Sequence, residues 1–339
     1  MLTHPILDKF DPSGMYKIYD RWPELARKSY ETKYETIDFK DIDHVVFCGM
    51  GGSGSICDVF SSILSKSKIH VNVTKGYVLP ETVDSNTLVI TVSVSGNTKE
   101  TLSVLDLAKK RKSKIIAFSS GGQIENYCKK NNILFRKTPF IHSPRSSFAS
   151  ILYSMLNILE PIIPMKKKDI YDSLDQLEKL GESINSSKLT SENPAYTLSM
   201  WIKGIPLIYY PYGLQAAAIR FKNSLQENAK SHVIVEDIIE ASHNGIVAWE
   251  RKSNVQPIII RGQDDHPKTK ERWEILKEFF DSKEIDYQEI ISANGNILSK
   301  LVSLVYLLDY TSIYLAILNK LDPTPIDSLD YVKSKLKES

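Results

Sequence analysis

The chain has 339 residues, 42% of them hydrophobic and 25% charged, and a formal net charge of +2. That balance gives no bulk attraction to nucleic acid or a membrane surface and favours a small-molecule partner, while the length exceeds what one core fills and predicts two lobes. Cys48, Cys57 and Cys128 form no CxxC pair and stand at no metal-ligand spacing to histidine, so neither a disulfide framework nor a metal site is expected.

Residues 1–15 lack the basic and apolar regions of a signal peptide, and no run approaches about 18 uncharged apolar residues, which predicts a cytoplasmic protein. Residues 1–34 read as a helical segment, because Met15, Ile18, Tyr19, Trp22 and Leu25 return at helical spacing across 15–34. From His44 the pattern changes. Strands are expected at 44–48, 69–74, 88–92, 114–118 and 133–136, with helices near 56–64, 98–110 and 123–129. A strongly apolar helix to about Leu159 closes this first lobe, residues 35–164.

Pro161, Pro164 and the solvated run Lys166-Lys167-Lys168 mark a break, and polar amphipathic helices over 165–204 connect the lobes. The second lobe, 205–339, repeats the rhythm with strands at 206–210, 232–236, 257–261 and 287–291 and helices at 214–227, 266–282 and 297–318. A last short helix follows Asp322-Pro323-Thr324-Pro325 and runs through Leu336. Strands alternating with helices require mainly parallel sheets covered on both faces, so the fold class is α/β with two doubly wound lobes.

Two junctions stand out. Gly51-Gly52-Ser53-Gly54 follows the first strand, and Ser93-Val94-Ser95-Gly96-Asn97-Thr98 follows the third. Each lies at the carboxyl end of a strand, where open α/β sheets bind ligands, and each opens a helix whose free N–H groups and dipole favour an anion. The first is not a dinucleotide fingerprint, since Lys75 and Gly76 stand where an acidic residue is needed, and no Gly-Lys-Ser/Thr makes it a P-loop. Hydroxyls and amides make a neutral cradle, suited to a phosphomonoester that is held and released. The plainer alternative is a pair of serine-rich helix caps.

GMGGSGS, VSVSGNTKET, Pro144-Arg145, Asn223 to Lys230, Ser242-His243-Asn244 and DPTPIDSLDYVKSKL occur in that order. This ordered set resembles the archaeal-type bifunctional phosphoglucose/phosphomannose isomerases, built from two flavodoxin-like sugar-isomerase (SIS) lobes, over roughly residues 40–336. The resemblance implies a homodimer that interconverts glucose 6-phosphate, and mannose 6-phosphate, with fructose 6-phosphate through a cis-enediolate, with no metal and no cofactor. It gives Ser53, Ser93, Ser95 and Thr98 as phosphate ligands, with Gly52 allowing close backbone approach. Glu227 matches the proton shuttle of an ENxK motif and Arg145 the arginine that steadies the enediolate. His243 matches a ring-opening histidine donated across the dimer interface, although Gly245 stands where family members commonly carry glutamate.

Periodicity alone leaves Glu227 an exposed carboxylate and Arg145 a surface salt bridge. For the ring-opening lysine, Ile326, Leu329, Val332 and Leu336 mark a buried stripe, and Lys333 lies on that side while Lys335 and Lys337 point away. Thr324 stands at the sugar end with no assigned role. A non-catalytic sugar-phosphate regulator is the alternative, but the residues before Asp41 are too few and too acidic for a DNA-binding module. An aminosugar-phosphate synthase would need a cysteine where the chain has Leu2.

Overall fold

The structure is a computed structural model that describes residues 2–35 and 37–338. Its first sheet contains β1 (His44–Cys48), β2 (His70–Thr74), β3 (Thr87–Ser93), β4 (Lys114–Ser119) and β5 (Leu134–Lys137). They run in the order β2-β1-β3-β4-β5, all parallel. HVVFC and TLVITVS are buried along their whole length, as expected of central strands covered on both faces. Cys48 at the end of β1 pairs with Thr91 of β3, so both junctions leave the same edge of neighbouring strands. The strand order reverses between β1 and β3, the switch point at which such sheets open a crevice.

The second sheet holds β6 (Ile205–Tyr210), β7 (Ile234–Asp237), β8 (Val255–Arg261) and β9 (Gln288–Ile291) in the order β7-β6-β8-β9, again all parallel. It is wound like the first sheet, with four strands in place of five.

One helix ties the two halves together. Ile297–Leu318 packs against the helices Gln215–Ala229, Lys167–Ile184, Pro194–Trp201, Met15–Asp20 and Gly51–Leu64. It is apolar on all sides because it is surrounded on all sides. It is the one helix among the described residues long and apolar enough to cross a membrane, yet 89% of that window is buried inside the fold. Asp309 interrupts it, which is why the sequence shows no uncharged run of membrane length.

The amino-terminal segment differs from its expectation. One helix over 15–34 is replaced by Met15–Asp20 and Trp22–Glu31, broken at Arg21, and a further helix covers His4–Phe10. Pro23 explains the break: it has no N–H to continue the first helix but sits well in the opening turn of the next. Trp22 is thereby buried, stacks on Tyr19, Phe148 and Tyr306, and donates its indole N–H to the Ser146 carbonyl at 2.8 Å. The short helix Ile238–Ala241 and the 3₁₀ turn Gly245–Glu250, unassigned from sequence, follow β7.

Candidate active site

Both junction helices begin without a side-chain cap, at Met50 and at Thr98, which leaves first-turn N–H groups facing the crevice. Ser53 Oγ accepts the Val94 N–H at 3.3 Å, and Ser93 Oγ lies 2.9 Å from Thr98 Oγ1. Hydroxyls from both junctions therefore share one mouth, with Ser53 and Ser93 buried and Thr98 half-buried. Ser95 is exposed at the rim, its hydroxyl near the Asn97 N–H at 3.4 Å. Gly96, at φ +69°, packs so closely on the turn after β4 that a Cβ would run into the Gly121 carbonyl, so no other residue fits.

Gly52 borders the Arg145 segment at ordinary contact distance. A Cβ there would lie 3.5 Å from Arg145 Cα, from the Pro144 carbonyl and from Arg220 Nη1. The Arg145 segment is therefore seated against the glycine-rich turn. Serine hydroxyls knit it into a tight bend: Ser146 Oγ donates to the Ile141 carbonyl at 2.7 Å and Ser147 Oγ to the Ser143 carbonyl at 2.8 Å.

Arg145 is buried, with a guanidinium that meets four acceptors. Nε donates to Asn228 Oδ1 at 2.6 Å, and Nη2 to the carbonyls of Pro323 and Thr324 at 2.6 and 2.9 Å. Nη1 meets Glu227 Oε2 at 3.3 Å. The Gln215–Ala229 helix buries Ala217, Ala218, Phe221 and Leu225, and Glu227 lies off that face, as its periodicity requires. The carboxylate is turned to Arg145 with 25% of its side chain exposed, and is no free surface acid.

Lys230 ends the helix in the left-handed conformation, φ 56°. Its ammonium clamps the carbonyls of Glu227, Pro325 and Asp322 at 2.7, 2.9 and 3.2 Å. Burial first, and then the neighbouring Arg145 charge, lower its pKa.

Behind Arg145 sits a second, fully buried arginine. Arg220 Nη2 donates to the Arg145 carbonyl at 2.7 Å and to Asp309 Oδ2 at 2.6 Å, and its guanidinium lies 4.8 Å from the Phe148 ring centre. Asp309 also accepts from Ser224 Oγ at 2.5 Å and Tyr19 Oη at 3.1 Å. Sequence reasoning passed over this pair, yet a signal existed: Asp309 is the one charge between Leu301 and Leu318, and Arg220 follows the apolar run Ala216 to Ile219.

Two expected residues are not brought to Glu227 within this chain. His243 is exposed in the turn after Ile238–Ala241, its N–H on the Glu240 carbonyl at 2.9 Å. The neighbouring Gly245 lies against the Glu236 carboxylate, the mobile end of a long side chain. Burial and the nearby Glu240 raise the Glu236 pKa.

The expectation for Lys333 is corrected in part. Leu329, Val332 and Leu336 do share a stripe, but it is not a buried one: they are 44%, 52% and 41% exposed. Lys333 is 61% exposed and meets Asp330 at 3.5 Å. The helix Asp327–Glu338 instead touches the cradle, where the Lys99 ammonium donates to the Leu336 carbonyl.

Two parallel α/β lobes, with hydroxyls and helix starts at one switch point and a carboxylate held by the Arg145 segment, make up the candidate site. The SIS domain matches residues 38–153, and the bacterial phospho-glucose isomerase C-terminal SIS domain matches residues 191–336. The chain is 33% identical to the bifunctional phosphoglucose/phosphomannose isomerase of Caldicellulosiruptor bescii, covering 96% of this chain and 99% of that one. It is 28% identical to the protein of the same name from Aquifex aeolicus, over 96% of this chain and 97% of that one. The crystal structure of a hypothetical protein from Thermus thermophilus shares the fold with a TM-score of 0.75 at 14% identity, over 98% of this chain and 92% of that one. The chain belongs to the bifunctional phosphoglucose/phosphomannose isomerase family.

Proposed function

We propose that the protein interconverts glucose 6-phosphate and mannose 6-phosphate with fructose 6-phosphate through a cis-enediolate, with Glu227 as the base. The observation that carries this is the double contact of Arg145, whose main chain lies on the phosphate turn and whose side chain holds Glu227. A phosphate on Ser53, Ser93 and Thr98, with Ser95 at the rim, places the sugar chain along Arg145 towards the carboxylate.

Glu227 takes the C2 proton and returns it to C1, while the O2 hydroxyl proton passes to O1, so that the aldehyde becomes a primary alcohol and C2 a ketone. Negative charge grows on the substrate oxygens meanwhile, and Arg145, charged at any working pH and shielded from water, stabilises it. The Arg145 contact to Glu227 is the longest of its four, so it is the one a substrate oxygen shares most readily. Glucose and mannose differ only at C2 and give the same enediolate. The reaction needs no metal, so purified protein in excess chelator is expected to form fructose 6-phosphate from either sugar phosphate; no product from glucose 6-phosphate would overturn the proposal.

The enzyme works as a cytoplasmic homodimer in this reading. The exposed stripe through Leu329 and Val332 is the face a second copy covers, Lys333 is carried with it, and His243 opens the ring bound in the neighbouring subunit. Mixing inactive Glu227→Gln and His243→Ala chains under exchange conditions should restore activity, because one site in each hybrid has both groups. Restoration would not occur if both residues served one chain.

A further inference from the structure

We infer that Ser13 and His142 are positioning residues that orient the Thr324 hydroxyl and hold its loop on Arg145, an inference that rests on the isomerase reading above. His142 Nε2 lies 3.1 Å from Ser13 Oγ, and Ser13 Oγ lies 2.5 Å from Thr324 Oγ1. The Thr324 carbonyl accepts Arg145 Nη2 at 2.9 Å, and its N–H donates to Asp322 Oδ1 at 2.8 Å. A continuous path thus runs from His142 through the amino-terminal segment to the guanidinium beside Glu227.

The direction of the path follows from His142. Its Nδ1 is buried and, among the described residues, has no hydrogen-bond partner. A buried N–H left unpaired is costlier than an unused lone pair, which puts the proton on Nε2 and makes His142 the donor to Ser13. Ser13 has one proton to give, and the Asp11 carboxylate, which can only accept, takes it at 3.3 Å. Ser13 Oγ therefore accepts from His142 Nε2 and from Thr324 Oγ1, and the Thr324 hydroxyl is held with its lone pairs left for a sugar hydroxyl.

Each member is held in place. His142 adopts φ 60°, an uncommon conformation for a residue with a side chain. It is fixed from both sides, by the Ile141 N–H on Ser147 Oγ at 2.8 Å and the Ser143 N–H on Ser146 Oγ at 3.0 Å. Buried Asp11 accepts the Tyr16 N–H at 2.7 Å and so shapes the turn that carries Ser13. Ser13 and Thr324 are 311 residues apart in sequence, and the contact gives the first helices a part in the site that no local pattern announces.

The test is steady-state kinetics of the full chain with Ser13→Ala, Ser13→Thr, His142→Ala and His142→Gln, beside the wild type. Ser13→Ala and His142→Ala should each lower kcat on the order of tenfold with KM nearly unchanged, the scale of one lost orienting hydrogen bond. Ser13→Thr should restore most of the loss because it keeps the hydroxyl. His142→Gln should do the same because its amide donates where Nε2 does.

A contact that merely fastened the amino terminus would move the melting temperature and leave the hydroxyl-keeping and hydroxyl-losing variants alike in kcat. Ser13→Ala within twofold of wild type, or Ser13→Thr as impaired as Ser13→Ala, overturns the inference even though the isomerase stands. An inactive wild type defeats the isomerase reading itself, and this inference with it.

Discussion

Exchange of Glu227 for glutamine is expected to lower kcat by about a thousandfold, within the range that loss of a general base produces, while KM and the melting temperature scarcely move. Stability should hold because Arg145 keeps Asn228 Oδ1 and the carbonyls of Pro323 and Thr324 when the carboxylate charge is gone. The glutamine oxygen can still accept from Nη1, so the guanidinium loses no geometry. The outcome therefore separates chemistry from binding. Steady-state rates with both aldose phosphates, alongside a thermal melt, measure it, and activity within tenfold of wild type would assign the proton transfer elsewhere.

The largest expected effect on stability lies at Arg220 and Asp309. Asp309→Ala strands a fully buried guanidinium and takes the acceptor from Ser224 and Tyr19, a change of a kind that costs about 3–5 kcal/mol. Arg220→Met should cost a similar amount by leaving the carboxylate alone. The double variant should be more stable than either single one, because burying no charge is cheaper than burying one without its partner. Denaturant unfolding of the three variants decides it; strict additivity would mean that the two residues do not work as a pair. Arg220 also holds the Arg145 carbonyl, so any Arg220→Met protein that folds should bind its phosphate ester more weakly.

The winding of both lobes was legible because βα repeats write themselves in short apolar runs, HVVFC and TLVITVS most clearly. The pair of junctions was legible for the same local reason: Ser53, Ser93 and Thr98 belong to two short stretches that fold next to each other. What joins the cradle to Glu227 was not. Arg220, Asp309 and Lys230 act across distances of tens to hundreds of residues, through contacts that no periodicity encodes. The last helix shows the opposite failure. Its amphipathic spacing was read correctly, but spacing says only that a stripe exists and not whether the fold covers it, and here it is exposed.

The segment Asp322–Pro325 meets both site cations through main-chain oxygens, and Pro323 and Pro325 within it have no N–H to offer. Arginine and lysine are thus satisfied largely by dipoles. An added carboxylate about 8 Å from a doubly charged guest would repel it by about 4 kcal/mol at an effective dielectric constant of about 20. Main-chain acceptors fix the two basic groups without adding charge, so it is the path of the chain, held in part by Asp322 Oδ1 on the Thr324 N–H, that has to be kept.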